Sequence, residues 1–472
     1  MTKKEIFGRT EEMIEKFGNK GTAYLGKIVS YPAGKYEEVG SVYIDLAFPH
    51  CMLVVGKRGT GKSYTLGVLA EGFGLLEENL QNKVSVVIID TMSVFSSLKT
   101  PNSNPSEVER LKDFQDLSPR GFEDYVEIFM PKTSIEEQKD DGRQIYYDQK
   151  LQLPLSEVEV SDWLSLFDLE ITKPVGSLLS EVIRVLKQEF EYFGFEDIYT
   201  GIESVDAEND TKKTLKELFK MIEDKGLFAE KGTPTKQIVR GGQLSVLDIS
   251  YLGRMGDLDM RNIVVKIIAD KLMKERTLYT TLEMQSEANL ISEDVEKDIA
   301  KEHPIVYLIM DEAHLFLPSE ADKISSDVLI DWVKLGRHPG LSTVFCTQEP
   351  AAIHESVIRQ SDLLIAHNVT SKDDIDALGK AKQSYMSSSD DIQKVVSEME
   401  FKKGLVAIFD DKTRRKEMCR VRPRLSLHTG MDASIFSTDE VMGVVNKPPP
   451  KPPKKDGVVS GSSYGVEKRD KR

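Results

Sequence analysis

Residues 56–63 read GKRGTGKS, a glycine-rich stretch whose spacing suits the grip of a polyphosphate. Gly56, Gly59 and Gly61 let the backbone turn tightly and bring amide N–H groups against phosphate oxygens. A helix beginning at the same place aims the positive end of its dipole at that charge. In such a loop Lys62 reaches the β- and γ-phosphates, and the Ser63 hydroxyl ligates Mg2+. Lys57, Arg58, Thr60 and Tyr64 complete the stretch expected to touch the nucleotide, with ATP and Mg2+ as the ligands. A glycine-rich turn matches this pattern by chance now and then. The buried strand expected just before it and the helix just after make phosphate binding the stronger reading.

A second apolar run, VYLIMDEAH, ends in two carboxylates where its strand emerges at the carboxyl edge of a sheet. Asp311 is placed to hold the magnesium ion, directly or through its water shell, and Glu312 to deprotonate the attacking water. Gln348 closes STVFCTQ at the same edge, where an amide can bond both the γ-phosphate and that water. Asp90 ends VVIID and is as readily a capping residue as part of the site. Arg337 and Arg359 sit on loops flanking the Gln348 strand. Either is a candidate to neutralise transition-state charge in a neighbouring subunit, although single arginines more often serve surfaces and ion pairs. His314 completes the string DEAH, but the accompanying motifs of the helicases named for it are not evident, and a structural loop role suits it equally.

The elements that must carry these residues alternate between strand and helix. Apolar runs 51–56, 83–90, 241–250, 304–314, 341–348, 362–368 and 404–410 read as strands. Helices are expected at 1–20, 62–76, 177–194 and 259–275, and residues 276–303 read as an acidic, solvated helix or excursion. This pattern predicts an α/β fold with a mainly parallel sheet covered on both faces. Four parts are expected: a short N-terminal segment with strands (1–48), an ATPase core (49–95 and 236–430), a helical insertion (96–235) and a C-terminal extension (431–472). The last ends in a Pro/Lys-rich tail, expected to be disordered.

Composition narrows the class. The chain has 472 residues, 40% hydrophobic and 30% charged, as soluble globular proteins do. A formal charge of −15 argues against a surface that is basic all over, without excluding a local basic channel. The three cysteines, Cys51, Cys346 and Cys419, are widely spaced, so a disulfide framework or zinc site is not expected. A reducing cytoplasm is the expected compartment, and no run of apolar residues is long enough to span a membrane.

Taken together, PHCMLVVGKRGTGKSYTLGVLAE (49–71), IVYLIMDEAHLFLP (305–318), the segment 333–378 and GLVAIFDDKTRRKEMCRVRPRLSLHTG (404–430) resemble the HerA-type ATPases of the FtsK/HerA branch of P-loop proteins. The resemblance implies a RecA-like core assembled as a homo-hexameric ring, with ATP between subunits and double-stranded DNA through the centre. It favours Arg337 as the residue acting in trans, and gives Lys62, Ser63, Asp311, Glu312 and Gln348 the roles stated above. Such proteins usually begin with a β-barrel that docks a nuclease. Only about fifty residues precede the loop here, enough for a few strands but not a full barrel.

The favoured expectation is an ATP-driven translocase or helicase on double-stranded DNA, working with a partner effector. Lys380, Lys382, Lys402, Lys403 and Lys412–Lys416 are its candidate DNA-facing charges. The alternative is a regulatory or scaffold ring that organises a nuclease or defence effector with little translocation. A monomeric kinase or GTPase is disfavoured, because it lacks an NKxD-type motif and leaves Gln348 and Arg337 unexplained.

Overall fold

The computed structural model describes residues 3–30, 37–132, 135, 147–254, 259–287, 303–320, 323–381, 395 and 403–429. Met1–Asp432 is one compact unit; a second unit, Ala433–Arg472, lies outside the described residues, as does the tail expected to be disordered. In chain order the strands are β1 (Lys3–Phe7), β2 (Thr22–Ser30), β3 (Glu37–Asp45), β4 (Cys51–Val55), β5 (Val84–Asp90), β6 (Val126–Pro131), β7 (Gln149–Leu151) and β8 (Leu153–Pro154). They continue with β9 (Phe228–Ala229), β10 (Gln243–Asp248), β11 (Ile305–Met310), β12 (Leu341–Thr347), β13 (Leu363–Ala366), β14 (Leu405–Asp410) and β15 (Arg415–Val421).

Thirteen of them form one sheet, ordered β1-β3-β2-β15-β14-β13-β4-β12-β11-β5-β10-β6-β7, while β8 and β9 pair separately. From β13 to β7 every pairing is parallel. Side chains alternate along each strand, so Leu53 and Val55 of β4 enter one core and Met52 and Val54 the other. The first core lies under helices Met260–Glu287 and Ser326–Leu335, the second under helix Lys62–Gly74. That double burial is why these strands read as unbroken apolar runs rather than alternating ones.

Three expectations change. Residues 1–20 are not one helix: Ile6 lies in β1, parallel to β3, and the helix is Glu11–Phe17, capped by the Thr10 hydroxyl. Gly8, at φ +91°, breaks the chain between them. The stretch 96–235 is helical mainly from Val160 to Glu223, in a bundle packed around Trp163, Phe167 and Phe219. Its β6 and β7 extend the main sheet, because β6 finds a parallel partner in the distant β10. The helix expected at 259–275 runs on to Glu287, so the acidic stretch begins as a helix, one of the two forms expected for it.

The antiparallel part of the sheet is joined to the rest by buried charge at the strands' lower ends. Arg9 donates to Asp45, and His50 lies between Asp45 (Nε2 to Oδ2, 2.8 Å) and Asp362 (Nδ1 to Oδ2, 2.7 Å). Lys412 pairs with Asp362 at 2.8 Å. Ionised carboxylates only accept, so both ring nitrogens carry protons and His50 is an imidazolium. Burial works against that charge, but Asp362 and Asp45 outweigh it and hold the His50 pKa above its ordinary 6.5. Asp362 is held below its ordinary 3.8 by His50 and Lys412, against the effect of burial.

The signs fix a pH window. The His50 contribution is complete below about pH 6.5 and is lost as pH rises through its raised folded value. The Asp362 contribution is present above about pH 3.8 and is lost as pH falls through its lowered folded value. Melting curves should therefore show the chain losing stability on the alkaline side, and His50→Asn should flatten that slope. An unchanged slope in the variant would remove His50 from the account.

Candidate nucleotide site

β4 delivers the chain into the loop at Gly56, and Gly61, at φ +103°, turns it into helix Lys62–Gly74. Gly56 admits no side chain, since a Cβ there would lie 2.5 Å from the Cβ of His367. Lys62 is buried and its ammonium donates to the Lys57 carbonyl at 3.1 Å. Lys57, Arg58 and Gly59 are exposed, whereas Thr60 is buried.

β12 lies between β4 and β11, and all three run the same way, so their carboxyl ends meet at one edge. There the Ser63 hydroxyl donates to Asp311 Oδ2 at 2.6 Å. Asp311 Oδ1 accepts from the Glu312 amide at 2.9 Å, and Gln348 Nε2 donates to Glu312 Oε1 at 2.8 Å. Glu312 adopts φ +50°, a conformation costing a non-glycine residue about 1 kcal/mol or more. Burial first, and the Asp311 charge second, raise the Glu312 pKa to about 7. That value suits a base working near neutrality.

A hydroxyl and a carboxylate in contact, at 2.6 Å, are the hard oxygen donors that magnesium takes. Among the described residues no group of three or more His, Cys, Asp or Glu could hold a metal.

The remaining candidates are placed as follows. Tyr64 turns its hydroxyl to Glu107 (2.9 Å) and accepts from the Arg424 amide (2.6 Å), so protein groups occupy it. Asp90 accepts from the amides of Met92 and Phe95 and so closes the turn that follows β5. His314 bonds Thr347 at 3.1 Å. Arg337 is exposed in the turn before β12, at the sheet edge opposite Asp311 and Gln348. Arg359 also precedes its strand, β13, and is exposed in an ion pair with Glu355. Neither is on the edge that carries the loop of its own chain. A cavity of about 410 Å3 near Lys150 and Lys231 lies at the far end of the sheet, beside β7, and includes none of these residues.

Sequence reasoning passed over two supports. His367, fully buried, contacts the loop from β13. Glu71, on the loop's helix, accepts from Arg422 (2.7 Å) and from the amides of Leu425 and Ser426. An acid inside an otherwise apolar helix face was the available signal, but its partners lie some 350 residues away. Glu71→Ala should cost ~3–5 kcal/mol in chemical denaturation, because it leaves Arg422 buried without its counter-charge. Glu312→Gln should lower turnover by about 10²- to 10⁴-fold with nucleotide binding retained. Loss of binding in that variant would contradict the role of Glu312 as a base.

Residues 24–309, more than half of the chain, match the family model described as the central domain of helicase HerA, and residues 245–448 match the HerA-like C-terminal model. No curated protein sequence matches the chain. Solved structures similar to it include VirB4 of Thermoanaerobacter pseudethanolicus, at 13% identity and TM-score 0.46, covering 85% of this chain and 96% of that one. The bacterial conjugative coupling protein TrwBdeltaN70 in its unbound form has 14% identity and TM-score 0.45, covering 89% and 98%. The genome packaging NTPase B204 of Sulfolobus turreted icosahedral virus 2, in complex with ATP-gammaS, has 13% identity and TM-score 0.32, covering 78% and 96%. Two HerA models matched in sequence order along a chain with a glycine-rich phosphate loop place it in one family: the chain belongs to the HerA-type ATPases of the FtsK/HerA branch of P-loop proteins.

Proposed function

We propose that this ATPase is one subunit of a homo-hexameric ring that hydrolyses ATP with Mg2+ and moves along, or unwinds, double-stranded DNA in the cytoplasm. The observation that carries the proposal is the hydrogen-bonded series Ser63–Asp311–Glu312–Gln348, drawn from three strand ends to the mouth of one phosphate loop. The amides of Gly56–Tyr64 wrap the phosphates, and Lys62 sets its charge against the β- and γ-oxygens. Ser63 and Asp311 hold the magnesium ion, which when bound neutralises charge on the β- and γ-phosphates. Glu312 takes the proton of the attacking water, and Gln348 holds Glu312 in line while reading the γ-phosphate.

The opposite placement of Arg337 supports a ring. An arginine at the far edge of the sheet cannot serve its own chain's loop, but it can reach the loop of a subunit stacked head to tail. The division into an N-terminal segment (1–48), a core (49–95 and 236–430), an insertion (96–235) and an extension (431–472) remains the working domain map. Within it β1–β3 share the core's sheet.

A second reading, a ring that organises a nuclease or other effector with little movement of its own, is favoured by one observation. Of the basic segment expected to face DNA, Lys412 is paired with Asp362 and Arg415 with Glu5. Lys403 is exposed, and Lys382 and Lys402 lie outside the described residues.

ATPase rates of the purified chain with and without duplex DNA separate the two readings. A several-fold stimulation, with a native mass near six times 53.1 kDa, is expected of the translocase. Turnover indifferent to DNA but dependent on a partner protein would support the organising ring. A strict monomer would contradict both. Lys62→Ala should abolish turnover, and unchanged turnover would refute the site.

A further inference from the structure

We propose that His367 is a positioning residue for nucleotide binding: its ring, delivered by β13, fixes the phosphate loop in the shape that receives the phosphates. The loop is commonly thought of as shaped by its own glycines. In this chain it also rests on a side chain from the neighbouring strand. His367 Nδ1 is 3.1 Å from the Thr60 carbonyl oxygen, and Nε2 is 3.1 Å from the Thr65 hydroxyl. These partners stand two residues before and three after Lys62, so one ring ties the loop on both sides of the lysine. The next residue adds a third tie, since the Asn368 carbonyl accepts from the Lys57 amide at 3.0 Å.

Chemistry fixes the state of the ring. A carbonyl can only accept, so Nδ1 carries the proton, and Nε2 is left to accept from the Thr65 hydroxyl. The imidazole is fully buried, and burial together with the nearby Lys62 charge keeps it neutral, with its pKa pushed down to about 3. A neutral ring adds no second positive charge beneath Lys62.

The geometry also says what the tie does. In a trans peptide the C=O and the following N–H point in opposite directions. Holding the Thr60 carbonyl against His367 therefore aims the Gly61 amide away from the ring, to the side the phosphates must occupy. Freed from that bond, the Thr60–Gly61 peptide can rotate, because Gly61 tolerates most backbone angles. The amide would then be aimed correctly only part of the time, which weakens binding more than the chemical step.

The proposal rests on the loop being the nucleotide site, which Lys62→Ala tests separately. Steady-state ATPase kinetics on the full chain, with melting curves for each variant, test the brace. His367→Ala is expected to raise KM for ATP about tenfold while kcat changes by less than about threefold. His367→Asn retains an N–H near the Nδ1 position and should restore KM to within about threefold of the native value. Thr65→Val, losing only the outer bond, should raise KM by about threefold. A native KM in His367→Ala, an asparagine variant no better than the alanine one, or a kcat that falls as far as KM rises would each overturn it. If the alanine variant does not fold, a native KM in Thr65→Val overturns it instead. Turnover surviving in Lys62→Ala would reject the site itself, whereas a dead Lys62→Ala beside a native KM in His367→Ala rejects the brace alone.

Discussion

One hydrogen bond, from the Ser63 hydroxyl to Asp311 at 2.6 Å, joins residues 248 positions apart and sets the terms for the rest of the fold. It requires that β4 and β11 run parallel, so that the chain leaves both at the same edge. Between them lies β12, which brings Gln348 to the same edge and within 2.8 Å of Glu312. Reversing any of these strands would send its functional residue to the opposite edge. The doubly covered, mainly parallel sheet is the arrangement that brings these chain segments together.

Buried charge holds that arrangement at two other places. At the lower edge Arg9, Asp45, His50, Asp362 and Lys412 connect the N-terminal strands to the starts of β4 and β13. Over the loop's helix, Glu71 gathers Arg422 and the amides of the segment that follows β15. Pairs of this kind add modest net stability but are costly to break, so they specify which segments meet. The first cluster ties the N-terminal strands to β4 and β13, and the second ties the segment after β15 to the helix that leaves the phosphate loop.

The sheet edge where Ser63, Asp311 and Gln348 meet was legible in the sequence because its signals are local. The glycine spacing at 56–61, the apolar runs ending in Asp311 and Gln348, and the helix after Lys62 each carry their meaning within about ten residues. The supports were not legible, because their meaning lies in a distant partner. Nothing near His367 points to Thr60, and nothing near Glu71 points to Arg422. The same limit hid β6, which gains its place in the sheet from pairing with the distant β10. It also hid β1, whose two apolar residues, Ile6 and Phe7, sit beside a helix and resemble its continuation. Tyr64 illustrates a related gap: its place beside Ser63 says nothing of its hydroxyl, which is bonded to Glu107 and the Arg424 amide.

The proposed function depends most on Ser63 and Asp311, which would together hold a magnesium ion. The most direct measurement is the affinity for a non-hydrolysable ATP analogue, with and without magnesium, in the native chain, Asp311→Asn and Ser63→Ala. Magnesium should tighten binding in the native chain and lose most of that effect in both variants. An equal magnesium effect in all three proteins would contradict the claim.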